Sequence, residues 1–344
     1  MNTIWQQKLE SLGYHLDEQG QAQAGTPDSG HSARIVPLSQ QCIIRIQGPE
    51  SARFLQGQLS CDMAEVERIG SRLGSHCNIK GHMISLFRVM QRDPETFWLR
   101  TDAGLLDKAL ATLNKYILFS KADADTAEEL VGIGLFGPDA AQLAQRILAE
   151  PPADTDQVAN QGQRLLVRVP GDRFECWLPA DEACQLLDQL LDSAAPASSD
   201  DWLLEEIRAG LPDLRVETSE AFIPQMTNLQ VHAGVSFTKG CYTGQEVVTR
   251  LQHRGILKKP MYRARLQSTS RPQPGQMLCS SEKENVGQVV IAAALGNDRY
   301  ELLAVINKDQ AEQHPILLGD REGPQLELLD LPYVLDPRLF ESKR

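Results

Sequence analysis

The chain has 344 residues, enough for two or three domains with separate cores. Its 42% hydrophobic and 23% charged fractions are those of a soluble globular protein, and no apolar run approaches the ~20 residues that span a bilayer. The net charge of -12 excludes a general nucleic-acid coat protein, which needs a positive footprint for phosphate.

The N-terminal MNTIWQQKLESLGYHL lacks the apolar segment of a signal peptide and reads as a short amphipathic helix, so a cytoplasmic location is expected. Cysteines at 42, 61, 77, 176, 184, 241 and 279 include no CxxC pair. They are expected as free thiols, with no structural zinc site or permanent iron–sulfur cluster. Residues 17–34 are polar, with Gly, Pro and Ser, and read as a flexible connection.

A weak repeat follows. CIIRIQGPESARFLQGQL (42–59) and GIGLFGPDAAQLAQRIL (132–148) share one grammar: an apolar strand, a Gly-Pro turn, then a helix. At an offset of 89, Gly48, Pro49, Gln56 and Leu59 match Gly137, Pro138, Gln145 and Leu148. Proline in the first turn with an acid beside it is a sound helix start in both copies. FWLRTDAGLLDKALATL (97–113) likewise echoes CWLPADEACQLLDQLL (176–191). Each half reads strand–helix–strands–helix, the order of a ferredoxin-like unit. Polar breaks fall at 151–157, 192–201 and 268–275, and 256–338 carries short strand-like runs that suit a small β-barrel or sandwich.

Chemistry concentrates in KGCYTGQE (239–246). Thr243 and Glu246 fit a capping box opening a helix. The Cys241 thiol would then lie beside the positive helix end, with Lys239 adding a cation, and both favour thiolate. Gly240 and Gly244 permit close backbone approach. The residues alone leave Cys241 open as nucleophile, ligand or small packed side chain. From Val247 to Ser281 there is no acid but seven cations, including Arg250, Arg263 and Arg265.

KGCYTGQE, with FLQGQLSCDM (54–63), HCNIKG (76–81), LNKYILFSKA (113–122), IRAGLPDL (207–214), FIPQMTNLQ (222–230) and LPYVL (331–335), resembles the YgfZ-type folate-binding family. That family is related to the aminomethyltransferase (T-protein) of glycine cleavage, and the likeness covers roughly residues 35 to 336. It implies an α+β fold of two ferredoxin-like α/β sandwiches and a C-terminal β-barrel. The implied domains are 35–125 with 202–250 (folate-binding), 126–201, and 256–338. It implies tetrahydrofolate or a derivative as cofactor, and a role in assembly or repair of iron–sulfur enzymes, including those that methylthiolate tRNA.

Under the same resemblance Cys241 is a functional thiol with Lys239 beside it. Trp202 matches a folate-contacting tryptophan, with a core aromatic as the alternative reading. Gln225 and Asn228 suit the pterin edge, Arg208 or the basic stretch suits the glutamate carboxylates, and Tyr242, Gln245 and Glu246 complete the contact set. The chain departs from T-protein at KGHMISL (80–86), where Ile84 and Ser85 replace an acidic pair. Loss of a general acid or base typically lowers a rate ~10²–10⁴-fold, so glycine cleavage is not expected. A further folate-contacting tryptophan of some members has no counterpart; Gln41 or Cys42 stands there. The competing readings are a folate-dependent one-carbon transferase and a non-catalytic scaffold using 247–281. The overall charge speaks against direct tRNA contact.

Overall fold

The structure, a computed structural model, describes residues 2–17, 20–24 and 31–341. Both Gly-Pro corners form where the repeat places them. Backbone φ is +140° at Gly48 and +93° at Gly137, values that glycine alone adopts without strain. A Cβ on Gly48 would lie 2.5 Å from the Lys121 carbonyl oxygen, and one on Gly137 would overlap that of Ser32. Strands Gln41–Gln47 and Leu130–Phe136 end just before these glycines, and helices Ser51–Gln58 and Ala140–Ile147 begin three residues after them. In both copies the amide three residues on (Ser51, Ala140) donates back to the glycine carbonyl at 3.0 Å.

The second echo holds as well. Strand Thr96–Asp102 leads into helix Leu106–Ile117, and Arg173–Pro179 into Ala180–Leu191. Their buried faces, Ala109, Leu113 and Ile117 in one and Ala183, Leu186, Leu187 and Leu190 in the other, recur at helical spacing. One sheet runs Ser71–Cys77, Met83–Asp93, Thr96–Asp102, Gln41–Gln47, Asp123–Thr126. The other runs Val158–Gln161, Arg164–Val169, Arg173–Pro179, Leu130–Phe136, then Arg34–Pro37 and Ala195–Pro196. Three successive strands thus lead to the strand before the Gly-Pro corner in each sheet. The second sheet also takes in a strand that precedes the first repeat.

The C-terminal sheet has six strands, in the order Ile316–Leu318, Met277–Ser280, Gly287–Gly296, Arg299–Ile306, Met261–Gln267, Glu327–Leu329. It curls into a half-barrel around Ala264, Leu266, Leu278, Val289, Leu302 and Ala304. Leu317 of its first strand bridges Gln325, two residues before its last. The α+β architecture expected from the sequence is therefore present.

The chain divides into two compact units, each assembled from separate stretches. The first comprises Met1–Leu55, Met63–Arg72 and Phe87–Trp202; the second comprises Gln56–Asp62, Leu73–Leu86 and Leu203–Arg344. Asn2 caps helix Thr3–Ser11 of the first unit through the amides of Ile4 and Trp5, and Trp5 and Leu9 enter that unit's core. The connection expected at 17–34 is more ordered than its composition suggests. Ala22–Ala24 pairs antiparallel with Tyr14–Leu16, and the buried Ala22 amide donates to Ser199 Oγ at 2.8 Å. Residues 18–19 and 25–30 of that stretch lie outside the described residues.

Two alanine substitutions separate the roles of glycine here. Gly48→Ala combines a positive φ with a backbone clash and should destabilise by more than about 1 kcal/mol. Gly57→Ala, at a helical site with nothing within 4 Å of the new Cβ, should stabilise by roughly 0.5–1 kcal/mol. Urea unfolding midpoints measure both; equal effects at the two sites would contradict the assignment.

Candidate functional site

Helix Gln245–Arg254 starts one residue later than a Thr243 capping box requires. Gly244 is the N-cap, at φ +84°, and no side chain caps the helix. The Thr243 amide instead donates to the Gly57 carbonyl at 3.3 Å, so the chain is tied down before it enters the left-handed turn. A Cβ on Gly244 would stand 2.5 Å from the Asn78 carbonyl oxygen and 2.8 Å from Cys77 Cβ. Opposite, a Cβ on Gly81, at φ +77°, would stand 2.9 Å from Val247 Cβ. The helix start thus rests directly on the turn 77–82. Asn78 Oδ1 locks that turn by accepting from the amides of Lys80 (2.9 Å) and His82 (3.1 Å).

The Lys239 ammonium is engaged by backbone carbonyls. Its Nζ donates to the carbonyls of Leu59 (2.8 Å) and Cys61 (2.7 Å) and lies 5.1 Å from the Tyr242 ring centroid. The residue is only 9% exposed, and burial pushes its amine down to about 8. Tyr242 is 6% exposed; its hydroxyl has no partner among the described residues, and burial raises its pKa. Between these two sealed side chains Gly240 and Cys241 are exposed. Gln245 is half-buried and Glu246 exposed at the helix start.

Gln225 and Asn228 are both fully buried. Gln225 Nε2 donates to the Val248 carbonyl at 2.6 Å, which joins FIPQMTNLQ to the motif helix, and its Oε1 is unpartnered among the described residues. Asn228, at φ +57°, uses its amide on backbone: Nδ2 donates to the Met261 carbonyl (3.0 Å) and Oδ1 accepts from the Met261 amide (3.4 Å). The Gly210 carbonyl receives the Tyr333 hydroxyl at 2.9 Å and faces His232 Nε2 at 3.0 Å. Asn228 Nδ2 also reaches the Tyr333 hydroxyl at 3.4 Å, so IRAGLPDL, FIPQMTNLQ and LPYVL meet around one polar node whose role the sequence did not disclose. Arg208 is exposed and paired with Glu205 at 2.8 Å.

Ile84 and Ser85 are buried, and the Ile84 carbonyl accepts from Ser219 Oγ at 2.8 Å. The basic stretch is partly neutralised. Arg263 and Arg265 both pair with Glu301, at 2.8 and 3.1 Å. Burial pushes the Glu301 carboxyl up, but the two arginines outweigh it and hold it below the usual range. Trp202 belongs to the first unit, where it is 0% exposed. The Arg173 guanidinium lies 4.4 Å over its ring, and Phe136 packs edge-on at 5.9 Å. Trp202 is fully enclosed, with its ring nitrogen unpartnered among the described residues.

Among the described residues no group of three or more His, Cys, Asp and Glu could hold a metal ion, and no helix is long and apolar enough to cross a membrane. No family profile matches the chain. It is 34% identical over 307 residues to a tRNA-modifying protein YgfZ from Klebsiella pneumoniae (strain 342), covering 88% of this chain and 93% of the relative. The YgfZ of Pectobacterium atrosepticum is 33% identical over 309 residues, covering 88% and 92%. The fold is similar to that of glycine cleavage system aminomethyltransferase T from Bartonella henselae, with a TM-score of 0.78, 97% and 98% coverage, and 19% identity.

Sequence reasoning also passed over His76, fully buried with both ring nitrogens unpartnered among the described residues. Nothing in its HCN context marks it as buried. Burial pushes its imidazole down to about 4. A histidine kept neutral in the fold contributes stability that is intact at pH 7 and lost as pH falls from 6.5 toward 4. The expected loss is about 3 kcal/mol, read from chemical denaturation at the two pH values. In His76→Leu that component should vanish; an unchanged pH dependence would refute the assignment.

Proposed function

Because the chain belongs to the YgfZ family of tRNA-modifying proteins, we propose that it binds tetrahydrofolate or a derivative and serves the assembly or repair of cytoplasmic iron–sulfur enzymes, tRNA-methylthiolating enzymes among them. Cys241 is its functional thiol. One observation carries this reading: of the seven cysteines, Cys241 is the exposed one, while Cys61, Cys77, Cys176 and Cys279 are buried and Cys42 and Cys184 half-buried. Burial pushes the thiols of Cys42, Cys77 and Cys176 up to about 12, which leaves them inert at neutral pH.

Folate in this reading is held by the domain formed from 35–125 and 202–250. Gln225 retains an unpartnered amide oxygen and Arg208 an accessible guanidinium. These groups suit the pterin edge and the glutamate carboxylates. Tyr242, Gln245 and Glu246 flank the thiol on the same motif. Asn228 serves the site by holding its loop, since its amide is engaged by Met261. Aminomethyl transfer is not part of the function: Ile84 and Ser85 offer no carboxylate.

Two measurements test the proposal. Tetrahydrofolate at 100 times its Kd should stabilise the protein by about 2.7 kcal/mol, seen as a raised thermal midpoint. An unmoved midpoint at high folate would remove the ligand from the account. In a strain lacking the protein, wild type and Cys184→Ser should restore tRNA methylthiolation and Cys241→Ser should not. Restoration by Cys241→Ser would end the functional-thiol reading.

A further inference from the structure

The segment 236–243 lies along 57–61 and is fastened to it at both ends through backbone. At one end the Ser236 amide donates to the Ser60 carbonyl at 2.8 Å; at the other the Thr243 amide donates to that of Gly57 at 3.3 Å. Between those points one side chain bonds to 57–61 twice. Lys239 Nζ reaches the carbonyls of Leu59 and Cys61, and its own amide donates to Ser236 Oγ at 3.2 Å. Gly240 next to it has open space where a Cβ would project, and the next anchored side chain is Tyr242, 6% exposed.

We propose that Lys239 is the positioning residue of the Cys241 loop, its buried ammonium pinning the middle of the segment 236–243 to the carbonyls of Leu59 and Cys61. Charge-assisted hydrogen bonds to carbonyls are stronger than neutral ones, and the Tyr242 ring closes the third side of the ammonium. The groups facing it are few: Cys61 and Asp62 from 56–62, and Tyr242 from the loop itself. Asp62 is held by Gln56 Nε2 at 3.0 Å. That this pin presents Cys241 for its chemistry rests on the functional-thiol reading; the clamp itself does not.

Hydrogen exchange by mass spectrometry tests it. In Lys239→Met, which keeps most of the apolar stem, protection of amides 237–242 should fall roughly tenfold or more while the rest of the chain is unchanged and Cys61 and Cys77 stay unreactive to alkylation. Lys239→Arg, which keeps the cation, should retain more of that protection than Lys239→Met. Unchanged protection in a folded Lys239→Met protein, or loss of protection throughout the chain, would overturn the positioning role. Should Lys239→Met fail to fold, Lys239→Gln is read by the same measurement, and wild-type protection of amides 237–242 in that folded variant refutes the proposal. These outcomes are separate from complementation by Cys241→Ser, which bears on the thiol alone.

Discussion

Gly244 occupies a point where backbone meets backbone. The Asn78 carbonyl, Cys77 Cβ and Gly81 Cα all fall within 3.2 Å of where a side chain would begin. This approach lets helix Gln245–Arg254 start directly on the turn 77–82, with Gly81 yielding space to Val247 in return. The segment before Gly244 must then run along 57–61, which is where the Gly57 and Ser60 carbonyls receive it. Substituting either glycine would lift the helix start and with it the loop that carries Cys241.

The buried charges follow one rule and find different partners. A charge taken out of water must be compensated by hydrogen bonds or by an opposite charge. In the second unit Lys239 uses main-chain carbonyls, whereas Arg263 and Arg265 share the buried Glu301. In the first unit Asp156 receives both Arg72 and Arg88 at 2.7 Å, and Glu175 accepts from Trp177 Nε1 at 3.1 Å. Carbonyl partners add no second charge, so burial pushes the Lys239 amine down to about 8.

Much of the fold was legible because it rests on local signals. A Gly-Pro-acid corner states its φ requirement and helix start within three residues, and its recurrence at 48 and 137 exposed the duplication. The β-rich C-terminal part showed itself through short apolar runs between turns. What the sequence hid depends on distant partners. The basic run 247–281 could not reveal that Glu301 neutralises two of its arginines. The partners of Lys239 were hidden as well, because only the fold brings the Leu59 and Cys61 carbonyls to its ammonium. Thr243 and Glu246 have capping-box spacing, yet the left-handed turn at Gly244 moves the N-cap one residue past Thr243. Ala22–Ala24 sits in a polar stretch but is held by pairing with Tyr14–Leu16, which composition does not encode.

The central claim is that the motif exists to hold one thiol at the surface of an otherwise closed set. Alkylation of the native protein near neutral pH, with each of the seven cysteines assigned by mass spectrometry, tests it most directly. The account predicts that Cys241 is modified first and that Cys61, Cys77 and Cys176 are modified only after unfolding. Reaction at Cys61 or Cys77 as fast as at Cys241 in the folded protein would contradict it.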